Sequence, residues 1–177
     1  MPSILRASYP RDVRVNERIE SLVGQWGEAR PDLDAGVMAE VARVLHAARL
    51  IGERLAAAAA EQSLQVGEVD VLFTLFRAGP PHTLSPTELA ASTLVTTGTM
   101  TGRLDRLEER GLVRRVPDPG DRRGLGVELT RDGRRLVNGL VEEHVAGEER
   151  MLSGLSARER EQLARILGKL LAHLERP

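Results

Sequence analysis

The residues of this chain best suited to chemistry are hydroxyls, glycines and arginines rather than acids, bases or nucleophiles. Thr96, Thr97, Gly98, Thr99, Gly102, Arg103 and Arg106 crowd into one short segment, and Ser85 stands a little before it. Hydroxyls can hydrogen-bond base edges or phosphates, and a guanidinium can pair with guanine or with a phosphate. Gly98 and Gly102 have no side chain to keep a backbone away from a groove. Two glycines in a helix cost about 1 kcal/mol each relative to alanine. Close approach to DNA offsets that cost in one reading; close packing of helices offsets it in the other. Farther along, Arg122 and Arg123 stand among Pro117, Asp118, Pro119, Gly120, Asp121 and Gly124. An arginine inserted into a narrow minor groove meets an enhanced negative potential. The alternative for this pair is a solvated loop in which they face Asp118 and Asp121.

Catalysis has no comparable constellation. His46, His82, His144 and His173 are scattered and hold no recognisable metal-ligand spacing. No phosphate-cradling glycine loop or nucleophile motif occurs. His82 and Ser85 are near neighbours, but in a proline-rich loop without a third partner. The expectation is a protein that is not an enzyme and holds no metal or cofactor. With no cysteine, disulfides, cysteine-based zinc sites and thiol redox sensing are excluded. Aromatic residues make up 2%, too few for a platform that stacks single-stranded nucleic acid.

The elements that must position these residues follow from periodicity and punctuation. Val15, Ile19, Leu22, Val23 and Trp26 recur at helical spacing, so Arg11 to Glu28 reads as a helix. Arg30-Pro31-Asp32 interrupts it, and a second helix runs from about Val37 into the alanine-rich stretch near residue 60. Val66 to Arg77 carries the stripe Val69, Leu72, Phe73 and Phe76 and ends before Gly79-Pro80-Pro81. Ser85-Pro86-Thr87-Glu88 combines an N-cap hydroxyl, a first-position proline and a capping-box glutamate, and so opens a short helix. After a turn through Leu94-Val95, Thr96-Thr97 opens another helix, which Gly111 stops near Arg110. Leu112 to Val116 and Gly126 to Leu129 read as strands around a turn-rich tip. Thr130 then caps a helix toward Met151, and Ser156 to Glu159 opens the last one.

A capped short helix, a tight turn, a second helix and a hairpin define a winged helix-turn-helix, mainly α with a small β-hairpin wing. Such a helix fills the major groove of duplex DNA while the wing reaches an adjacent minor groove. Charge agrees with that placement. The 177 residues carry a formal net charge of −1, yet residues 97–135 hold 10 arginines against 7 acidic residues, net +3. This is the only basic stretch. Lysine occurs once against 24 arginines, so an isolated arginine means little without its placement. Neither a signal-peptide pattern nor a membrane-length apolar run occurs, and a cytoplasmic protein is expected.

Glu88-Leu89-Ala90, Thr99-Met100-Thr101, Leu104-Asp105-Arg106-Leu107-Glu108, Gly111-Leu112-Val113, Asp118-Pro119 through Asp121-Arg122-Arg123, and Leu129-Thr130 with Gly133 together resemble the MarR family of regulators. The likeness spans about residues 37–175. It implies a dimeric transcription factor, usually a repressor, released from a pseudopalindromic operator by a small ligand. It divides the chain into N-terminal dimerisation helices (1–60), a DNA-binding winged helix (61–130) and C-terminal dimerisation helices (131–177). Leu163, Leu167, Leu170 and Leu174 also form a stripe suited to packing between helices, whether across a dimer or within one chain. A winged helix serving only as a protein-interaction module is the competing reading. Gly102 departs from relatives that often carry a polar side chain there, so base preference does not transfer.

Within that family, the 33-residue spacing from Asp70 to Arg103, the 12-residue spacing from Arg103 to Arg115 and a tryptophan on an added N-terminal helix are similar to the urate-responsive branch. The resemblance implies that Trp26 contacts the effector and Arg103 pairs with its anionic edge. It further implies that Asp70 is displaced by the effector's charge and that Arg115 relays the change to the recognition helix. A planar anion suits an aromatic face and a guanidinium. Urate or another anionic or aromatic compound is the effector this implies. Alternatively, Trp26 anchors a dimer interface and Asp70 joins a structural ion pair.

Overall fold

A computed structural model of the chain describes residues 15–80, 82–117 and 124–176. In chain order the elements are α1 (Val15–Ala29), α2 (Gly36–Glu61), α3 (Val66–Arg77), β1 (Thr83–Leu84), α4 (Pro86–Ser92), α5 (Thr97–Glu109), β2 (Val113–Pro117), β3 (Leu125–Leu129), α6 (Arg131–Met151) and α7 (Ala157–Leu174). They fall into two compact units, residues 1–55 and 56–177, with α2 crossing the division.

In the first unit Ile19 of α1 is buried, whereas Leu22 and Trp26 are exposed. Arg43 of α2 pairs with Glu20 of α1. The outward residues of α2 include Val37, Val41, Val44, Leu45 and Ile51, an apolar set left in solvent.

The second unit contains the winged helix. Its core gathers Val71, Leu72 and Leu75 of α3, Leu89 of α4, Met100, Leu104 and Leu107 of α5, Leu129 of β3 and Val137 of α6, each at most 2% exposed. Burial of such side chains stabilises by about 1.5–3 kcal/mol each and fixes the helix faces. Hydroxyl caps set where the helices begin. Ser85, Thr96, Thr130 and Ser156 each accept a hydrogen bond from the backbone N–H three residues on. At α7 the Ser156 hydroxyl and backbone N–H also hold the Glu159 carboxyl below the usual glutamate range.

The wing is a three-stranded antiparallel sheet ordered β1-β3-β2. Val113 stands opposite Leu129 and Pro117 opposite Leu125, while Thr83 and Leu84 pair with Glu128 and Val127 on the other edge of β3. The hairpin is therefore one strand larger than the sequence indicates. Gly111 ends α5 at φ +67. Where α6 begins it crosses the start of β2 so closely that a Cβ on Gly133 would overlap the Leu112 carbonyl oxygen. In contrast, α7 buries no residue, and Leu163, Ile166, Leu167, Leu170, Leu171 and Leu174 are all at least 36% exposed. Among the described residues no helix is long and apolar enough to cross a membrane.

Candidate nucleic-acid interface

The α4–turn–α5 segment holds most residues the sequence singles out. The Ser85 hydroxyl donates to Glu88 Oε2 at 2.7 Å and accepts from the Glu88 N–H at 3.2 Å. Thr96 Oγ1 accepts from the Thr99 N–H at 3.3 Å and lies 3.0 Å from Thr99 Oγ1. Thr101 Oγ1 donates to the Thr97 carbonyl at 3.0 Å. These hydroxyls are first of all the local scaffold of the helix starts. Thr96, Thr97, Thr99 and Thr101 nevertheless remain exposed, and a hydroxyl oxygen retains acceptor capacity for a further partner.

With Met100, Leu104 and Leu107 buried, the opposite ridge of α5 passes through Gly98 and Gly102. A Cβ on Gly98 would meet nothing within 4 Å, and one on Gly102 only Arg106 Nη1, at 3.7 Å. Helix packing within this chain therefore does not account for either glycine. Gly67 of α3 behaves differently: a Cβ there would overlap the Arg103 guanidinium.

The arginines of α5 and its C-cap all meet the same stretch of chain. Arg103 lies over Gly67, and its Nη1 is buried with no hydrogen bond among the described residues. Arg106, expected to reach bases or phosphates, donates through Nε to Glu68 Oε1 at 2.5 Å and through Nη2 to Gln65 Oε1 at 3.3 Å. Arg110 donates to the carbonyls of Ser63 at 2.6 Å and Gln62 at 2.9 Å. Positions 103, 106 and 110 share one helix side, and that side docks on residues 62–68.

The other flank of α5 faces the wing. Arg115 of β2 pairs with Asp105 at 2.6 Å and with Glu108, whose Oε1 also accepts from the Arg115 N–H at 3.0 Å. The Asp105 hydrogen bond, followed by the charge of Glu108, raises the guanidinium pKa above its ordinary value. Arg115 is thus joined directly to the helix that the resemblance has it influence. Asp70 is exposed on α3, one turn beyond Gly67, and its carbonyl accepts from Thr74 Oγ1 at 2.7 Å. Trp26 belongs to the first unit and is 46% exposed. Arg122 and Arg123 lie outside the described residues.

Sequence reasoning misses Gln65, Glu68 and Arg110. Glu68 is 3% exposed, a carboxylate whose Oε2 accepts from the Gln65 N–H at 2.9 Å while Oε1 holds Arg106. The only local signal is a glutamate near a helix start, because its partner lies 38 residues away. Among the described residues no group of three histidine, aspartate or glutamate side chains is placed to hold a metal ion.

Comparison with known proteins agrees with this geometry. Residues 62–124 match the MarR family. The HTH-type transcriptional regulator PecS of Dickeya dadantii (strain 3937) is 38% identical over 156 residues, 88% of this chain and 94% of PecS. A mutant MarR from E. coli complexed with operator DNA superposes with a TM-score of 0.65 at 25% identity, covering 82% of this chain and 97% of that one. Bordetella bronchiseptica BpsR, described in terms of regulation of its DNA binding by 6-hydroxynicotinic acid, gives 0.63 at 27% identity, covering 72% and 89%. A capped helix-turn-helix, a wing joined to it through Arg115 and a relative this similar over nearly its whole length place the chain in the MarR family of winged helix-turn-helix transcriptional regulators.

Proposed function

We propose that this regulator is a cytoplasmic homodimer that represses by binding a pseudopalindromic operator and lets go when it takes up a small anionic or aromatic effector. The observation that carries the DNA reading is the outward ridge of α5. Gly98 and Gly102 carry no side chain and touch no neighbouring chain segment closely, so the helix backbone can sit deep in a major groove. Thr96, Thr97 and Thr99 line the start of the same helix, and Ser85 caps the helix before it. Repression is read from the family resemblance. A dimer is supported by the exposed leucine and isoleucine side chains of α7, an apolar stripe that calls for a partner. Two-fold symmetry would set the two recognition helices about 34 Å apart, one turn of the duplex.

The effector reading rests on Arg103. A buried guanidinium nitrogen without a partner is costly, and an anion supplies the missing acceptor. Asp70, one turn from Gly67, is a charge such an anion would repel. Arg115 supplies the connection to α5, in the role the family resemblance gives it. Urate or a related purine is the first compound to test.

Binding of a duplex obtained by unbiased selection, titrated across a salt series, tests the DNA reading. Phosphate contacts predict a log–log slope of about −0.9 per phosphate neutralised. A protein that selects no duplex and binds another protein in a salt-insensitive way would instead be an interaction module. Calorimetry with urate should give heat that Trp26→Ala or Arg103→Ala reduces, and urate should lower operator affinity. No heat at millimolar urate eliminates the purine.

A further inference from the structure

Arg106 sits two positions from the buried Leu104 and, by helical periodicity, near the groove-facing ridge. A free arginine there would be a guanine reader, the commonest specific contact in the major groove. Glu68 prevents that freedom. Its carboxylate is buried and uses both oxygens at once, Oε2 on the Gln65 N–H and Oε1 on Arg106 Nε. Gln65 Oε1 adds a second acceptor for Arg106 Nη2. Withdrawing the guanidinium would leave a buried carboxylate oxygen without its cation, which is strongly disfavoured. Arg110 is also spent on this stretch, through the Ser63 and Gln62 carbonyls, and Arg103 is turned onto Gly67 with its Nη1 buried, so neither is offered to the duplex.

We infer that Glu68 is a specificity-determining positioning residue: by holding Arg106 against α3, it keeps guanine reading out of the recognition helix. The inference rests on the DNA reading above. What α5 then offers the bases is short: threonine hydroxyls and methyls, with the backbone brought close at Gly98 and Gly102. Such a surface contacts thymine methyls and polar edges at short range and has no bidentate fork for guanine. Arg106 contributes positive charge near the duplex without choosing among bases.

Replacing Glu68 by glutamine tests this directly. An amide has one acceptor oxygen where the carboxylate uses two, so it cannot serve both Gln65 and Arg106. Unbiased sequence selection would be run on the full-length wild type, Arg106→Ala, Glu68→Gln and the double variant, with thermal unfolding of each recorded. Wild type and Arg106→Ala should yield the same consensus, the latter binding every sequence more weakly. Glu68→Gln should gain a guanine preference at one position per half-site, roughly 5- to 150-fold for one bidentate pair, and the double variant should lose it. A guanine position present in the wild type and absent from Arg106→Ala would overturn the inference. So would an unchanged consensus in a folded Glu68→Gln. If Glu68→Gln does not fold, Arg106→Ala against wild type decides alone. Failure of the wild type to enrich any duplex would instead refute the DNA reading beneath it.

Discussion

A methyl group built onto Gly133 would overlap the Leu112 carbonyl oxygen, whereas one on Gly98 would meet nothing within 4 Å. The two glycines therefore answer opposite demands, and alanine separates them. Gly133→Ala should destabilise by about 1–3 kcal/mol, because a backbone oxygen cannot move aside as a side chain can. Gly98→Ala should stabilise the fold by about 1 kcal/mol, through helix propensity alone, while weakening operator binding. Chemical denaturation and duplex titration on the same samples check both. A Gly98→Ala protein that is more stable and binds unchanged would remove the close-approach argument. At this scale the sequence identifies residue types but not neighbours. Thr99, Gly98 and Gly102 were legible as one exposed face because helical periodicity opposes them to Met100, Leu104 and Leu107. The role of Glu68 was not legible, since its burial depends on α5 being packed against α3 from 38 residues away.

Thr130 shows how one side chain can join elements. Its Oγ1 accepts from the Gly133 N–H at 3.0 Å, capping α6, and donates to the Gly111 carbonyl at 2.7 Å, just beyond the end of α5. The hydroxyl thus ties the start of α6 to the turn that leads from the recognition helix into β2. Thr130→Ala should cost about 1–2 kcal/mol, the upper range for a cap, and Thr130→Ser should restore most of it. Unfolding midpoints of the three proteins in urea measure this; equal loss in Ser and Ala would assign the effect to the methyl group. Caps of this kind explain why α4, α5, α6 and α7 begin where the sequence places them. The hydroxyl is local to the helix it starts, so no tertiary information is needed to find it. β1 has no such signal. Two residues, Thr83 and Leu84, become a strand only because β3 presents them with a free edge.

At the scale of the whole molecule, the apolar surface has the wrong distribution for an isolated chain. The second unit has a dense core between α3, α5 and the wing, yet α7 carries Leu163, Ile166, Leu167, Leu170, Leu171 and Leu174 with none of them buried. The spacing of Leu163, Leu167, Leu170 and Leu174 marks this stripe as a helix–helix seam in the sequence. Whether it closes within one chain or across two is a property of the assembly, and periodicity is silent on that. Its exposure favours the second. Leu170→Glu puts a charge at the middle of the seam, where desolvation in an apolar interface is expensive, and leaves the core of the winged helix untouched. The variant should halve the mass seen by analytical ultracentrifugation while retaining the helical circular-dichroism signal. Its operator affinity should fall by about 10²–10⁴, the advantage lost when two linked half-site contacts become one. A Leu170→Glu protein that keeps the mass of a dimer would mean that the seam is not where two copies meet. One that becomes monomeric yet binds the operator as tightly as before would mean that a single winged helix is sufficient, and that the two-fold arrangement of recognition helices contributes nothing to affinity.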